Sequence, residues 1–213
     1  MTRLPVLLAV MMLCRGHALA QSIPTSRTLS GGGVSASLPH QTHDGITLSA
    51  DPYDSFPRIK KSFKSGDLWR AGVVPIEVTF QNDSEYPVRI DLNTITLDVH
   101  EPGVEAQHLR SLRASDVGYA IINPTGPPNS EHPYEDTRAT WDAKSEAIKI
   151  DRVILKKDLI PERSSIHGFL FFRIGHDMSL VWKSSVSVPD VVVEPSERAL
   201  MFFEVPLGNA QHP

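Results

Sequence analysis

An immunoglobulin-like antiparallel β-sandwich with short helical insertions is the fold that this 213-residue sequence predicts, on three observations. Val74, Ile76, Val78 and Phe80 alternate with Pro75, Glu77, Thr79 and Gln81, the period-two pattern of a half-buried strand. Further strand segments return after Ile160, punctuated by Pro161, Gly175, Pro189 and Pro195. Segments of helical period are few and short, so they read as insertions in a β domain rather than as the crossovers of a parallel sheet.

The first twenty residues read as a secretory signal peptide. Arg3 supplies a basic start, Leu4 to Leu13 an apolar run broken only by Pro5, and Ala18-Leu19-Ala20 the small-x-small site that places cleavage between Ala20 and Gln21. A membrane anchor needs about twenty consecutive apolar residues, and Arg15, Gly16 and His17 end this run sooner. Lipidation of Cys14 is a rival reading, but lipoprotein processing favours a small residue before the cysteine, where Leu13 stands. Residues 21–43, with Gly31-Gly32-Gly33, read as a flexible leader, 44–207 as one domain with a helical and Pro-rich insertion around 107–150, and 208–213 as a tail.

Within the domain the pattern predicts each element in turn. Ile46 and Leu48 mark a strand over Gly45 to Ala50, ended by Asp51-Pro52. Phe56, Ile59 and Phe63 share one face of a short helix, with Pro57 admissible in its first turn. Pro75 places the start of the next strand at a sheet edge. After the polar turn Asn82-Asp83-Ser84-Glu85, segments 88–90 and 95–99 read as its return partners in a meander. Leu109, Leu112 and Val117 suggest a short helix, four prolines make Ile122 to Tyr134 a loop, and Glu135 to Ile150 reads as a helix with a thin apolar face built on Trp141 and Ile148. Strands follow at Ile166 to Ile174, Leu180 to Val188 and Ala199 to Val205. The first of these is apolar on both faces, which places it centrally in the core, with Gly168 sensitive to substitution if a neighbouring ring packs over it.

Composition narrows the chemistry. Without Arg3 and Arg15, 19 basic side chains face 25 acidic ones, a formal charge of −6 that gives no footprint for nucleic acid. Cys14 is the only cysteine, so the mature chain has no disulfide, thiolate nucleophile or cysteine-held metal, which suits a bacterial periplasm or surface. Asp51, Tyr53 and Asp54 form an acid-aromatic-acid cluster whose carboxylates could meet a hard cation, although calcium takes six or more oxygens and Asp54 or Ser55 could simply cap the helix that follows. His176 and Met178 would need further ligands to hold copper, and His100, His108 and His167 show no companion spacing. There is no Gly-x-Ser-x-Gly, and Asn82-Asp83-Ser84 matches the glycosylation acceptor pattern that chance often produces. No catalytic, cofactor or metal residue is therefore assigned.

Ala50-Asp51-Pro52-Tyr53-Asp54, Gly72-Val73-Val74-Pro75-Ile76, Gly168-Phe169-Leu170-Phe171-Phe172 and Phe202-Phe203-Glu204-Val205-Pro206-Leu207 give the chain a resemblance to a group of uncharacterised bacterial exported proteins. The resemblance implies an immunoglobulin-like sandwich and no activity. Ile160-Pro161-Glu162-Arg163-Ser164 departs from the Pro-Gly turn usual in such domains. The expectation is a periplasmic or secreted, non-catalytic binding or scaffolding module whose partner is another envelope protein, with loops as the contact surface, the Pro-rich Ile122 to Tyr134 segment first among them, and no membrane span after cleavage. A hydrolase or metal-dependent enzyme assembled by the fold, and a carbohydrate-binding domain, which would need the fold to gather Trp69, Trp141 and Trp182 from distant parts of the sequence, are the alternatives.

Overall fold

A long hairpin and its third strand set the frame. In the computed structural model, which describes residues 38–64, 67–125, 138–200 and 202–208, strand β2 (Ile46–Pro52) pairs antiparallel with β3 (Val73–Asn82). Strand β3 pairs in turn with β8 (Ser164–Arg173) through ten register positions from Val73↔Arg173 to Asn82↔Ser164. The signal cleavage site, residues 21–37 of the leader, residues 126–134 of the Pro-rich segment and the tail beyond Gly208 lie outside the described residues.

Twelve strands make three antiparallel four-stranded sheets among the described residues. Sheet A runs β1-β2-β3-β8, with β1 at His40–His43. Sheet B runs β11-β10-β4-β7, from Arg198–Ala199, Val191–Val193, Val88–Ile90 and Leu159–Ile160. Sheet C runs β12-β9-β5-β6, from Phe203–Pro206, Ser184–Val188, Thr96–Val99 and Gln107–Arg110. The chain is thus mainly β. One apolar core takes the inward faces of all three sheets: Leu48, Ile76, Phe80 and Phe172 from A, Val88, Ile160 and Val191 from B, Leu97, Val186 and Phe203 from C. Each such Leu, Ile or Phe stabilises the fold by roughly 1.5–3 kcal/mol.

A second core forms on the outer face of sheet A. Phe171 and Val73 meet Ile59 of helix α1 (Phe56–Phe63), Leu68 of α2 (Asp67–Arg70), Val117 and Ala120 of α3 (Ala114–Ile122) and Ile150 of α4 (Arg138–Asp151). The helices exist because β8 is apolar on both faces, and the outer face needs cover.

Several elements differ from expectation. His40–His43, placed in the leader, is strand β1; it lies against β12, where Gln41 Oε1 accepts a bond from the Glu204 amide at 2.6 Å and His43 packs edge-on to Phe203. Pro75 sits in an interior strand, not at an edge. Its carbonyl accepts from the Tyr53 amide just past the end of β2, so its absent N–H points the same way and costs no bond to β8. The meander does not form: β4 pairs with β10 and β7, and β5 with β9 and β6. Asn82 explains the departure of β4, because its Nδ2 donates to the carbonyls of Tyr86, Ile160 and Pro161, tying the turn to β7 rather than back along β3. The helix expected around Leu109 is instead β6 followed by α3. The strand expected from Leu180 opens with a 3-10 turn, Met178–Lys183, and the last expected strand is split between β11 and β12 in different sheets.

Strand β8 is covered on both faces as expected, yet it is the last strand of its sheet rather than a central one. Its free edge is occupied: Leu155 N donates to Phe169 O, Phe169 N to Val153 O, and Leu112 N to Phe171 O, at 2.8–3.0 Å. Gly168 lies not under a ring but under backbone, since a Cβ there would stand 2.7 Å from Leu155 Cα.

Candidate functional site

Among the described residues, two polar clusters and one helix face with two large exposed apolar side chains are the candidates; Tyr86, Val104, Leu159 and Phe202 are also exposed. The first lies where β2 runs into α1. Asp51 and Glu77 are directly opposite across β2 and β3, a like-charge pair that destabilises a sheet unless something separates the charges. Two side chains do so. Arg58, carried on α1, whose Ile59 and Phe63 pack on the outer face of sheet A while Phe56, expected on the same face, stays exposed, donates to Asp51 Oδ2 at 2.5 Å and to Pro52 O at 3.0 Å. Tyr53 Oη donates to Glu77 Oε2 at 2.8 Å, and the Arg58 guanidinium stacks 3.9 Å from the Tyr53 ring centre. The ring then meets Phe63 and Phe169 edge-on.

Burial, followed by the hydrogen bond and charge of Glu77, pushes the Tyr53 phenol above its ordinary value. For Arg58 burial pulls downward, but the hydrogen bond and charge of Asp51 outweigh it and the guanidinium is held charged. Of the sequence-predicted trio, Asp51 and Tyr53 are brought together, while Asp54 is not joined to them. Ser55 occupies the N-cap position of α1 without a side-chain cap bond. Arg58 and Glu77 are the members that sequence reasoning missed. Glu77 had a signal in its outward alternation, but its register opposite Asp51 had none. Both carboxylates are spent on Arg58 and Tyr53, so the cluster pins α1 to the sheet.

A second polar group forms the outer face of sheet C. Alternation directs Thr96, Asp98, Ser185 and Glu204 outward, opposite the buried Leu97, Val186 and Val205. Asp98 Oδ1 lies 2.7 Å from His108 Nδ1 and accepts from Thr96 Oγ1 at 2.8 Å. Ser185 Oγ donates to Glu204 Oε1 at 3.0 Å and stands 3.3 Å from His100 Nε2. Among the described residues this group brings Ser, His and an acid together, with Ser185 only 2% exposed and its hydroxyl donated to Glu204 rather than to a histidine. The copper candidates are dispersed: Met178 is buried in the core, His176 is exposed in a turn, His167 lies on the outer face of sheet A, and His100 and His108 lie on sheet C. Among the described residues no three His, Cys, Asp or Glu side chains gather to hold a metal ion.

The third surface is the outer side of α4. The sequence suggests Trp141 and Ile148 as its buried stripe; the structure reverses this. Ala143 and Ala147 face α3, where Gly118 lets the backbones approach so closely that a Cβ would stand 2.4 Å from Ala143 O. Trp141 and Ile148 project outward, 63% and 58% exposed. Trp69 packs against both cores and Trp182 is half-buried, so Trp141 is the exposed tryptophan among the described residues. The Asn82 sequon is closed to glycosylation in the folded chain, because Asn82 is fully buried, donates to three carbonyls and accepts from Ser84.

No family model matches the chain, and no curated protein does. Among solved structures it is similar to a functionally unknown protein from Listeria monocytogenes EGD-e, at 10% identity and a TM-score of 0.35, over 83% of this chain and 88% of that one. Among the described residues no helix is long and apolar enough to cross a membrane.

Proposed function

We propose that the chain is an exported, non-catalytic binding or scaffolding module of the bacterial envelope, built on an immunoglobulin-like sandwich frame. The observation that carries the binding reading is the outer face of α4, where two large apolar side chains seven residues apart stay in water while small residues fill the seam behind them. Two such groups on one face of a helix held close to its neighbour offer a ridge through which a partner could bind. The polar clusters support the same reading, since their carboxylates and the Ser185 hydroxyl are engaged in holding elements together. Antiparallel pairing between strands distant in sequence, β3 with β8 and β5 with β9, supports the sandwich frame. The export reading rests on residues 3–20.

The test is crosslinking in the native envelope, with mass spectrometry of the captured species and N-terminal sequencing of the recovered chain. A chain beginning at Gln21 and crosslinked through α4 is the expected outcome. Recovery as a free monomer that retains Met1 would remove both halves of the proposal.

A further inference from the structure

The outer face of α4 also carries a charge pattern. At about 100° per residue, Lys144 and Ser145 fall on the same side as Trp141 and Ile148; Arg152 lies just past the helix, in a turn that Ile154 N closes onto Ile150 O, and continues that side. The Lys144 ammonium lies 5.0 Å from the centre of the Trp141 ring. Lys144 and Arg152 are exposed, and among the described residues neither has a carboxylate partner. The acidic residues of the helix are elsewhere or engaged: Glu146 pairs with Lys149, Asp151 pairs with Lys156 at 2.7 Å, and Asp142 sits about a quarter-turn round from Trp141. On a chain of net negative charge this strip is locally apolar and basic.

We infer that the outer face of α4 docks on an anionic phospholipid surface, with Trp141 and Ile148 entering the headgroup region and Lys144 and Arg152 meeting lipid phosphates. This rests on the binding-module reading and names its partner. Charge complementarity selects an acidic surface, and shape selects lipid over protein. A stable protein interface takes about 20–30 residues a side with matched relief, whereas this ridge offers two apolar residues spaced about 10 Å apart on a convex helix. A bilayer needs no matched relief, and tryptophan and basic side chains both favour its interface. The close α3–α4 seam holds the ridge rigid, so little order is lost on docking.

The test uses the full chain and vesicles of phosphatidylcholine with or without about 30% phosphatidylglycerol, a range in which each surface cation contributes measurably. Wild type is expected to partition onto the anionic vesicles, less so as salt rises, and brominated lipid should quench the Trp141 emission that Trp141→Phe removes. Lys144→Glu with Arg152→Glu, and separately Trp141→Ser with Ile148→Ser, should each lower partition at least about tenfold while leaving the urea midpoint unchanged. Because residues 4–13 are themselves apolar, equal partition by wild type and variants would assign the binding to that segment and overturn the inference. Absence of binding would also overturn it. A photocrosslinker at position 141 that captured one discrete protein in cells, rather than lipid, would overturn the lipid assignment while leaving the binding-module reading in place. If that crosslinker captured neither, both would fall.

Discussion

Two single residues show how local chemistry is decided by distant neighbours. Asn82 looks like a turn residue in sequence, yet its side chain joins the end of β3 both to nearby Tyr86 and to Ile160 and Pro161, 78 and 79 residues away. Asn82→Ala leaves these buried carbonyls and the Ser84 donors without their partner, so it should cost about 2–4 kcal/mol, read from urea denaturation. Tyr53 gives a pH signature. Its folded pKa lies above the ordinary value of 10.0, so its contribution is fully present below about pH 10 and is lost as pH rises through the folded pKa. Thermal melts between pH 9 and 11 should therefore show an alkaline loss of stability in wild type that is smaller in Tyr53→Phe; parallel curves would remove Tyr53 as its source. Spacing grouped Asp51, Tyr53 and Asp54, and the structure brings the first two together through Arg58 and leaves Asp54 apart. Their real partners were not legible, because Glu77 reaches Tyr53 through strand register and Arg58 reaches Asp51 through the docking of α1.

At the scale of elements, glycines mark where backbones touch. Gly168 is crossed by Leu155, so Gly168→Ala should lower stability by about 1–3 kcal/mol, and Gly168→Asp, which buries a charge as well, by more. A melting point within a degree of wild type for the aspartate variant would contradict that crossing. Gly118 does the same for the helical pair. Gly118→Leu should loosen α4 from α3 and raise hydrogen exchange across 142–151, with the amides of β3 still protected; unchanged protection in α4 would show that the seam is not what holds it. The strands β2, β3, β8 and β9 and the helices α1 and α4 were legible because period two and period 3.6 are local properties. Strand partners were not. A return strand after a turn is the economical guess, and the buried amide of Asn82 overrides it with bonds that outweigh a weak local preference.

For the whole molecule, the arrangement separates structural from surface chemistry. Polar clusters on sheets A and C join elements, while the outer side of α4 faces water, and a contact made there can engage a surface without disturbing either core. By itself the sequence determined the mainly β class, the long two-faced strand at Ile166 to Ile174 and the absence of cysteine chemistry beyond Cys14, because alternation and composition need no knowledge of what packs where. Only the tertiary structure decided which strands pair, that β8 ends its sheet, and that Trp141 points outward. The physical reason is that a helix with small residues on one side and large ones on the other can bury either. The choice is made by the glycine on the neighbouring helix, which rewards the small side with a close approach.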